Sequence, residues 1–281
     1  MVQTGILSMN NNTLCFLFGL FLFQAEVSIA HEGPGAHLDH INEALEKTPD
    51  KQSLYIERGV IYSSEAGMYE QALKDFQRAE KLGPPVAVAY ELGLLFYRRA
   101  EFAKSRTYFD RYIGQFPDYA PAYEYRAKAS SQVGDTKQAM ADFNAFFRLQ
   151  KQINPGSFIA AAKIYASAKE AGVDAAIALL DQGIKQIGLN PQLQSYAVRL
   201  ELQRNRPEQA IARHQSLKTM LNDSPAWKSE MAELLLDAGK PAQAAAFLDE
   251  AEQQLAKLKA TPARLNLLQT IQKLKQQAVS S

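Results

Sequence analysis

The chain has 281 residues, 47% of them hydrophobic and 22% charged, with 31 basic against 30 acidic side chains and a formal net charge of +1. This is the composition of a folded protein, and the near-neutral balance, without a long run of one sign, gives no electrostatic case for nucleic acid or an anionic membrane surface. The length suits one large or two small globular domains, unless the chain grows by stacking units.

At the N-terminus Leu14 to Phe23 reads LCFLFGLFLF, an apolar run suited to the core of a signal peptide and too short to cross a bilayer comfortably. Ser28 and Ala30 put small residues where a signal peptidase reads, so cleavage after Ala30 is expected, leaving His31 as the new N-terminus. The first thirteen residues hold no Lys or Arg, so the leader is atypical, and retention as an anchor is the alternative. Cys15, the only cysteine, lies in this segment. The mature chain would have no thiol for a disulfide or a nucleophile. Leu14 stands where a lipoprotein signal needs a small residue. Residues 1–30 are read as a signal peptide and the mature protein as exported, periplasmic or secreted, with no membrane span.

His31, His37 and His40 are three of the four histidines and lie beside Glu32 and Asp39. An N-terminal histidine can bind copper through amine and ring together, and His37 and His40, three apart, would share a helix face. Copper or zinc handling is therefore carried as an alternative function. Gly33-Pro34-Gly35 between the histidines points to a flexible polar start instead.

Beyond residue 50 the sequence repeats. Gly59 and Gly93 are 34 apart, Phe109 and Phe143 are 34 apart, and Pro84 and Pro117 are 33 apart. One unit carries Tyr55, Gly59, Tyr62, Gly67, Ala72, Phe76, Ala79 and Pro84, with an extra residue in its inter-helix turn. The next carries Leu92, Gly93, Phe96, Phe109 and Pro117, with Ser105 and Tyr112 at positions where small residues are expected. A third carries Tyr123, Ala127, Gly134, Ala139, Phe143 and Phe146. These spacings and residue types resemble the tetratricopeptide repeat, in which each unit is a pair of antiparallel helices. Gly59, Gly93 and Ala127 are expected at the closest helix approach. Phe76, Phe109 and Phe143 would fill the space between hairpins. Gly67 and Gly134 would end first helices in a left-handed conformation, and Pro84 and Pro117 would end second helices.

The pattern persists more weakly. Asn154-Pro155 opens a fourth unit with Phe158, Ala162, Tyr165, Gly172, Ala176 and Leu180. Pro191 opens a fifth, with Ala210, Leu217 and His214 at the aromatic position. Ser224-Pro225 opens a sixth, with Trp227, Ala232, Gly239, Ala244, Leu248 and Ala251. After Thr261-Pro262 one more helix places Leu265, Leu268, Ile271 and Leu274 on one face, as a cap for an open array end. At the front His37, Ile41, Ala44 and Pro49 have the spacing of a second helix without its first. The expected fold is an all-α, right-handed α-solenoid of about six hairpins with a half-repeat before and a capping helix after. Its segments are 1–30 (leader), 31–51 (histidine segment and half-repeat), 52–258 (array) and 259–281 (capping helix and tail).

Motifs for chemistry are missing: the sequence has no phosphate-binding glycine loop, no CxxC, no HExxH and no GxSxG. The resemblance implies binding instead, in a concave groove lined by first helices. The register places Ile56, Val60, Tyr90, Leu94, Tyr97, Glu124, Lys128, Lys163 and Arg199 there, apolar and aromatic in front, more basic behind. A protein or peptide partner with an apolar segment followed by acid groups would fit. No enzyme activity, no resident cofactor and no nucleic-acid partner are expected. Tyr90 and Tyr97 have a second reading, as rings packed between repeats.

Overall fold

The computed structural model describes residues 34–168 and 172–280. The leader, Cys15, the cleavage site and His31 lie outside them. Within the described residues the chain is all-α, with no strand. The helices are α1 (Pro34–Lys47), α2 (Gln52–Ser64), α3 (Tyr69–Leu82), α4 (Val86–Arg98), α5 (Phe102–Gln115), α6 (Ala120–Gln132), α7 (Thr136–Leu149), α8 (Pro155–Ala166), α9 (Gly172–Ile187), α10 (Pro191–Gln203), α11 (Pro207–Ser216), α12 (Lys218–Leu221), α13 (Pro225–Asp237), α14 (Pro241–Ala256) and α15 (Pro262–Ser280). Six hairpins form: α2/α3, α4/α5, α6/α7, α8/α9, α10/α11 and α13/α14. Helix α1 packs on α2, and α15 packs on α13 and α14. Two compact units divide the chain at Phe116–Pro117, the first holding α1 to α5 and the second α6 to α15.

The helix starts follow local chemistry. Asn154, Asn190 and Ser224 precede Pro155, Pro191 and Pro225, and each side chain accepts a backbone N–H of the new first turn. The cap satisfies a donor that the helix cannot, and proline has no N–H to leave orphaned. Between the two helices of a hairpin the chain reverses through one left-handed residue: Gly67, Ala100, Gly134, Asn205 or Gly239. In four of these turns the N–H after that residue returns to a carbonyl five residues back, as in Glu101→Phe96, Asp135→Ser130, Arg206→Glu201 and Lys240→Leu235. That bond closes a Schellman turn. The extra residue in the first hairpin changes it, and Glu65 N–H donates to Tyr62 instead. Gly172 has another role. It begins α9, where a Cβ would lie 2.3 Å from the Tyr165 carbonyl oxygen.

The core follows the repeat. Phe76, Phe109 and Phe143 are fully buried. A Cβ on Gly59 would stand 2.5 Å from Phe76, and one on Gly93 would stand 2.7 Å from Phe109. Phe76 and Phe109 thus lie against the first helix of their own hairpin. Ser105, in place of alanine, is fully buried and donates to the Gly93 carbonyl at 2.8 Å. In the fifth hairpin His214 takes the aromatic position, buried and stacked on Trp227 with centroids 5.2 Å apart. Its Nε2 lies 2.9 Å from the Trp227 carbonyl, and the indole N–H donates to the His214 carbonyl. On α1 Ile41 is buried, and on α15 so are Ile271 and Leu274. Leu265 departs from the expected buried stripe at 52% exposure.

Gly93→Ala is expected to destabilise the protein by about 1–2 kcal/mol, because crowding against an immobile ring outweighs the gain in helix propensity. Ala100→Gly should stabilise it by about 0.5–1 kcal/mol, by relieving a left-handed alanine. Urea unfolding midpoints at unchanged slope check both, and a Gly93→Ala midpoint at or above wild type would contradict the packing account.

Candidate partner-binding surface

All nine groove positions fall on first helices, five in the first unit and four in the second. In the first unit Ile56 on α2 is half-buried and joins the cluster around Phe76, while Val60, one turn on, stays 37% exposed. On α4 Tyr90, Leu94 and Tyr97 are half-buried. The Tyr90 ring packs on Phe109 (5.8 Å) and Tyr112 (5.3 Å), and Tyr97 packs on Phe102 (5.5 Å). Both tyrosines therefore use one side of the ring within their own hairpin and keep part of it accessible. Tyr112, bulky at a small-residue position, is tolerated because it continues this ring series to Phe116 at 4.9 Å.

Two further residues of this unit left no motif in the sequence. Arg98 reaches from α4 to α2 and donates to the Ser63 carbonyl (3.1 Å) and hydroxyl (3.0 Å). Glu91 is half-buried on the same helix. Burial pushes its carboxyl above the usual carboxylate range, and the Arg98 charge offsets only part of this. Only its seven-residue spacing from Arg98, two helical turns, could have pointed to it.

In the second unit Glu124 on α6 accepts the Ser157 hydroxyl of α8 at 2.7 Å and pairs with Lys128 at 2.8 Å. The Lys128 ammonium also lies 5.1 Å from the Tyr125 ring centroid. Lys163 on α8 and Arg199 on α10 are exposed, and Arg199 lies over Tyr196 at 5.2 Å. Repeat register places the cations, while the tyrosines three residues before two of them carry no repeat signal.

His37 on α1 sits 3.0 Å from Glu57 of α2, and His40 is exposed. Among the described residues no three His, Cys, Asp or Glu side chains are placed to hold a metal ion. A surface depression of about 480 Å³ in the first unit is lined by Glu80, Pro85, Val86, Arg111, Gly114 and Gln115. The Glu80–Arg111 ion pair, 2.6 Å, occupies its rim.

A carboxyl held above its unfolded value contributes stability that is present below the unfolded pKa and lost as pH rises through the folded one. Glu91→Gln should therefore raise the urea midpoint at about pH 8 and flatten the decline above the usual carboxylate range. Equal midpoints for the variant and wild type at that pH would refute the desolvation account.

No family model and no curated protein matches the sequence. Solved structures do. A tetratricopeptide repeat protein from Parabacteroides merdae aligns over 96% of this chain and 98% of its own, with 14% identity and a TM-score of 0.51. PilF of Pseudomonas aeruginosa aligns over 79% of this chain and 97% of its own, with 17% identity and a TM-score of 0.54. PilW, a widely conserved type IV pilus biogenesis factor, aligns over 66% and 82%, with 16% identity and a TM-score of 0.50. At these identities the likeness is one of fold, and the fold of this chain is that of the tetratricopeptide-repeat proteins, an all-α array of packed helix pairs.

Proposed function

We propose that the chain is a non-catalytic interaction scaffold that acts outside the cytoplasm and holds a protein or peptide partner against its first helices. One observation carries this reading. Side chains on the first helices, such as Val60, Lys163 and Arg199, stay exposed although each sits next to a buried residue, Gly59, Ala162 or Val198. They contribute little to the core, so their identity is available for recognition. Half-buried tyrosines already held by neighbouring rings suit the same role, because they offer contact area with little left to immobilise. The leader-like run ahead of the array supports export, and the structural likeness to PilW, a type IV pilus biogenesis factor, favours the same direction. The adaptor reading is preferred over copper or zinc handling because His37 already faces Glu57.

Photo-cross-linking residues introduced in place of Val60 and Arg199 should capture a partner in cells. The same residue in place of Thr107 or Gln253, exposed on second helices, should not. Equal capture from both sets, or capture from neither, would sink the groove assignment. N-terminal sequencing of the mature protein should begin at His31, and recovery of an intact leader from a cytoplasmic fraction would overturn the export assignment.

A further inference from the structure

Beyond Glu252 the chain has five basic side chains and no acidic one, so its near-neutral total hides a local excess. Part of that excess belongs to one edge of the second unit. Helices joined by short connections run antiparallel, so the connections between successive hairpins fall at the same edge. Three of them follow in order: residues 188–190 between α9 and α10, 217–224 between α11 and α13, and 257–261 between α14 and α15. Hydrogen bonds tie neighbouring connections together. Gln194 in the first turn of α10 donates to the Ser216 hydroxyl at the end of α11 (3.1 Å), and Gln254 in the last turn of α14 donates to the Asn222 carbonyl (3.3 Å).

This edge combines charge with apolar side chains left in water. Leu189, Met220, Leu258 and Leu265 are 38–54% exposed. Leu265, in the first turn of α15, belongs with Leu258, because Arg264 donates to the Lys259 carbonyl at 2.6 Å and so closes the turn between them. Lys185 lies one helical turn before Leu189, Lys218 lies two residues before Met220, and Lys257 and Lys259 flank Leu258; all four are exposed. The same connections and the helix turns that enter them hold one exposed acid, Asp223. The opposite edge of the unit mixes signs, with Asp135 and Asp237 among Arg204, Arg206 and Lys240. A cation in the last turn of a helix complements its dipole. That accounts for Lys185 and Lys218, but it gives no reason for four large apolar side chains to stand in water beside the lysines.

We infer that this edge docks on the surface of an anionic lipid bilayer, with its apolar side chains set among the headgroups and its lysines at the phosphates. The chemistry distinguishes this partner from others. A protein interface gathers its apolar side chains into a packed centre and is depleted in lysine. Here the apolar side chains are distributed over three connections, each beside lysine. A bilayer accepts that arrangement, because its apolar layer lies under every headgroup and separate side chains can enter at separate points. Lysine lays its stem along the apolar layer and keeps its ammonium at the headgroups, and anionic headgroups attract clustered cations. Nucleic acid would use the lysines through its phosphates and gain nothing from the leucines and methionine. No groove position belongs to this edge, so the inference goes beyond the scaffold reading and stands or falls apart from it.

The test is co-sedimentation with phosphatidylcholine vesicles, with and without about one third phosphatidylglycerol. It uses the chain as exported, without residues 1–30, since the apolar leader would itself enter a bilayer. Binding is expected to the anionic vesicles and not to the neutral ones, and it should weaken as salt is raised. Lys218→Glu, Lys257→Glu and Lys259→Glu combined should reduce it about tenfold or more. Lys47→Glu, Lys51→Glu and Lys74→Glu combined, the same charge change on exposed lysines of the first unit, should leave it nearly unchanged. Met220→Ser with Leu258→Ser, which alters no charge, should reduce it about threefold or more. Circular dichroism would show that each variant is folded. Equal binding to neutral vesicles, equal loss from the two lysine sets, or no loss from the serine pair would overturn the inference. If the vesicles are not bound while the cross-links from Val60 and Arg199 appear, the scaffold reading stands and only the lipid docking falls.

Discussion

The fold depends on one contact, an aromatic ring laid over a residue too small to resist it. Phe76 on Gly59 and Phe109 on Gly93 set how closely the two helices of a hairpin approach, since even a Cβ would collide with the ring. Interiors pack near the density of organic crystals, so such a contact cannot shift by a methyl group without disturbing its neighbours. In the fourth hairpin the roles are exchanged: Phe158 comes from the first helix, and Gly183 on the second receives it, with a Cβ there only 2.9 Å from the ring. In the fifth the ring is His214, and its stacking partner Trp227 comes from the next hairpin. The element kept is a flat ring against a small or flat partner, while the helix that supplies it changes.

A second regularity has twice the period of the first. The residue before the Phe76 position is Asp75, Tyr108, Asp142, Leu179, Arg213 and Phe247 in the six hairpins, charged in the odd ones and apolar or aromatic in the even ones. Each charge is answered by a first helix of its own hairpin. Arg58 holds Asp75 through two bonds, Arg126 holds Asp142 through two, and Arg213 meets the buried Glu201 at 2.9 Å. In the first and third hairpins a tyrosine hydroxyl also donates to the carbonyl of the preceding proline, Tyr55 to Pro49 and Tyr123 to Pro117, both at 2.9 Å. Buried ion pairs add little net stability but penalise any arrangement that separates them. Here that penalty distinguishes odd from even hairpins, which apolar packing alone would leave nearly interchangeable.

Much of this was legible in the sequence because spacing encodes packing. The period near 34 residues, the cap-proline pairs at Asn154 and Ser224, and the glycines at 67 and 134 each reflect one local physical demand. Ala100 and Asn205 adopt the same left-handed turn without the residue that announces it, and were not legible. Leu265 fits the stripe of α15 by spacing yet stays exposed, because periodicity assigns a face and not whether a neighbour covers all of it. The surface was half legible. Register put Lys128, Lys163 and Arg199 on first helices, but Glu91 gains its shifted carboxyl from burial that no motif records. Tyr90 and Tyr97 pack on Phe109 and Phe102 of their own hairpin, a contact that neither the groove reading nor the reading as rings between repeats had described.

The repeat itself supplies a control for separating recognition from folding. One position recurs six times beside the same helix contact, occupied by Val60, Leu94, Lys128, Lys163, Arg199 and Glu233. If packing dictated this position, its occupants would converge in size and polarity, as do the buried Ala72, Ser105, Ala139, Ala176, Ala210 and Ala244 on the second helices. They diverge instead, from aliphatic in the first unit to cationic in the second and then to acidic. A backbone environment that stays nearly constant while its outward side chain changes sign leaves the identity of that side chain to something outside the hairpin. Exposed charges contribute little to stability on their own, so a row of them kept in register has its physical use in what it can attract.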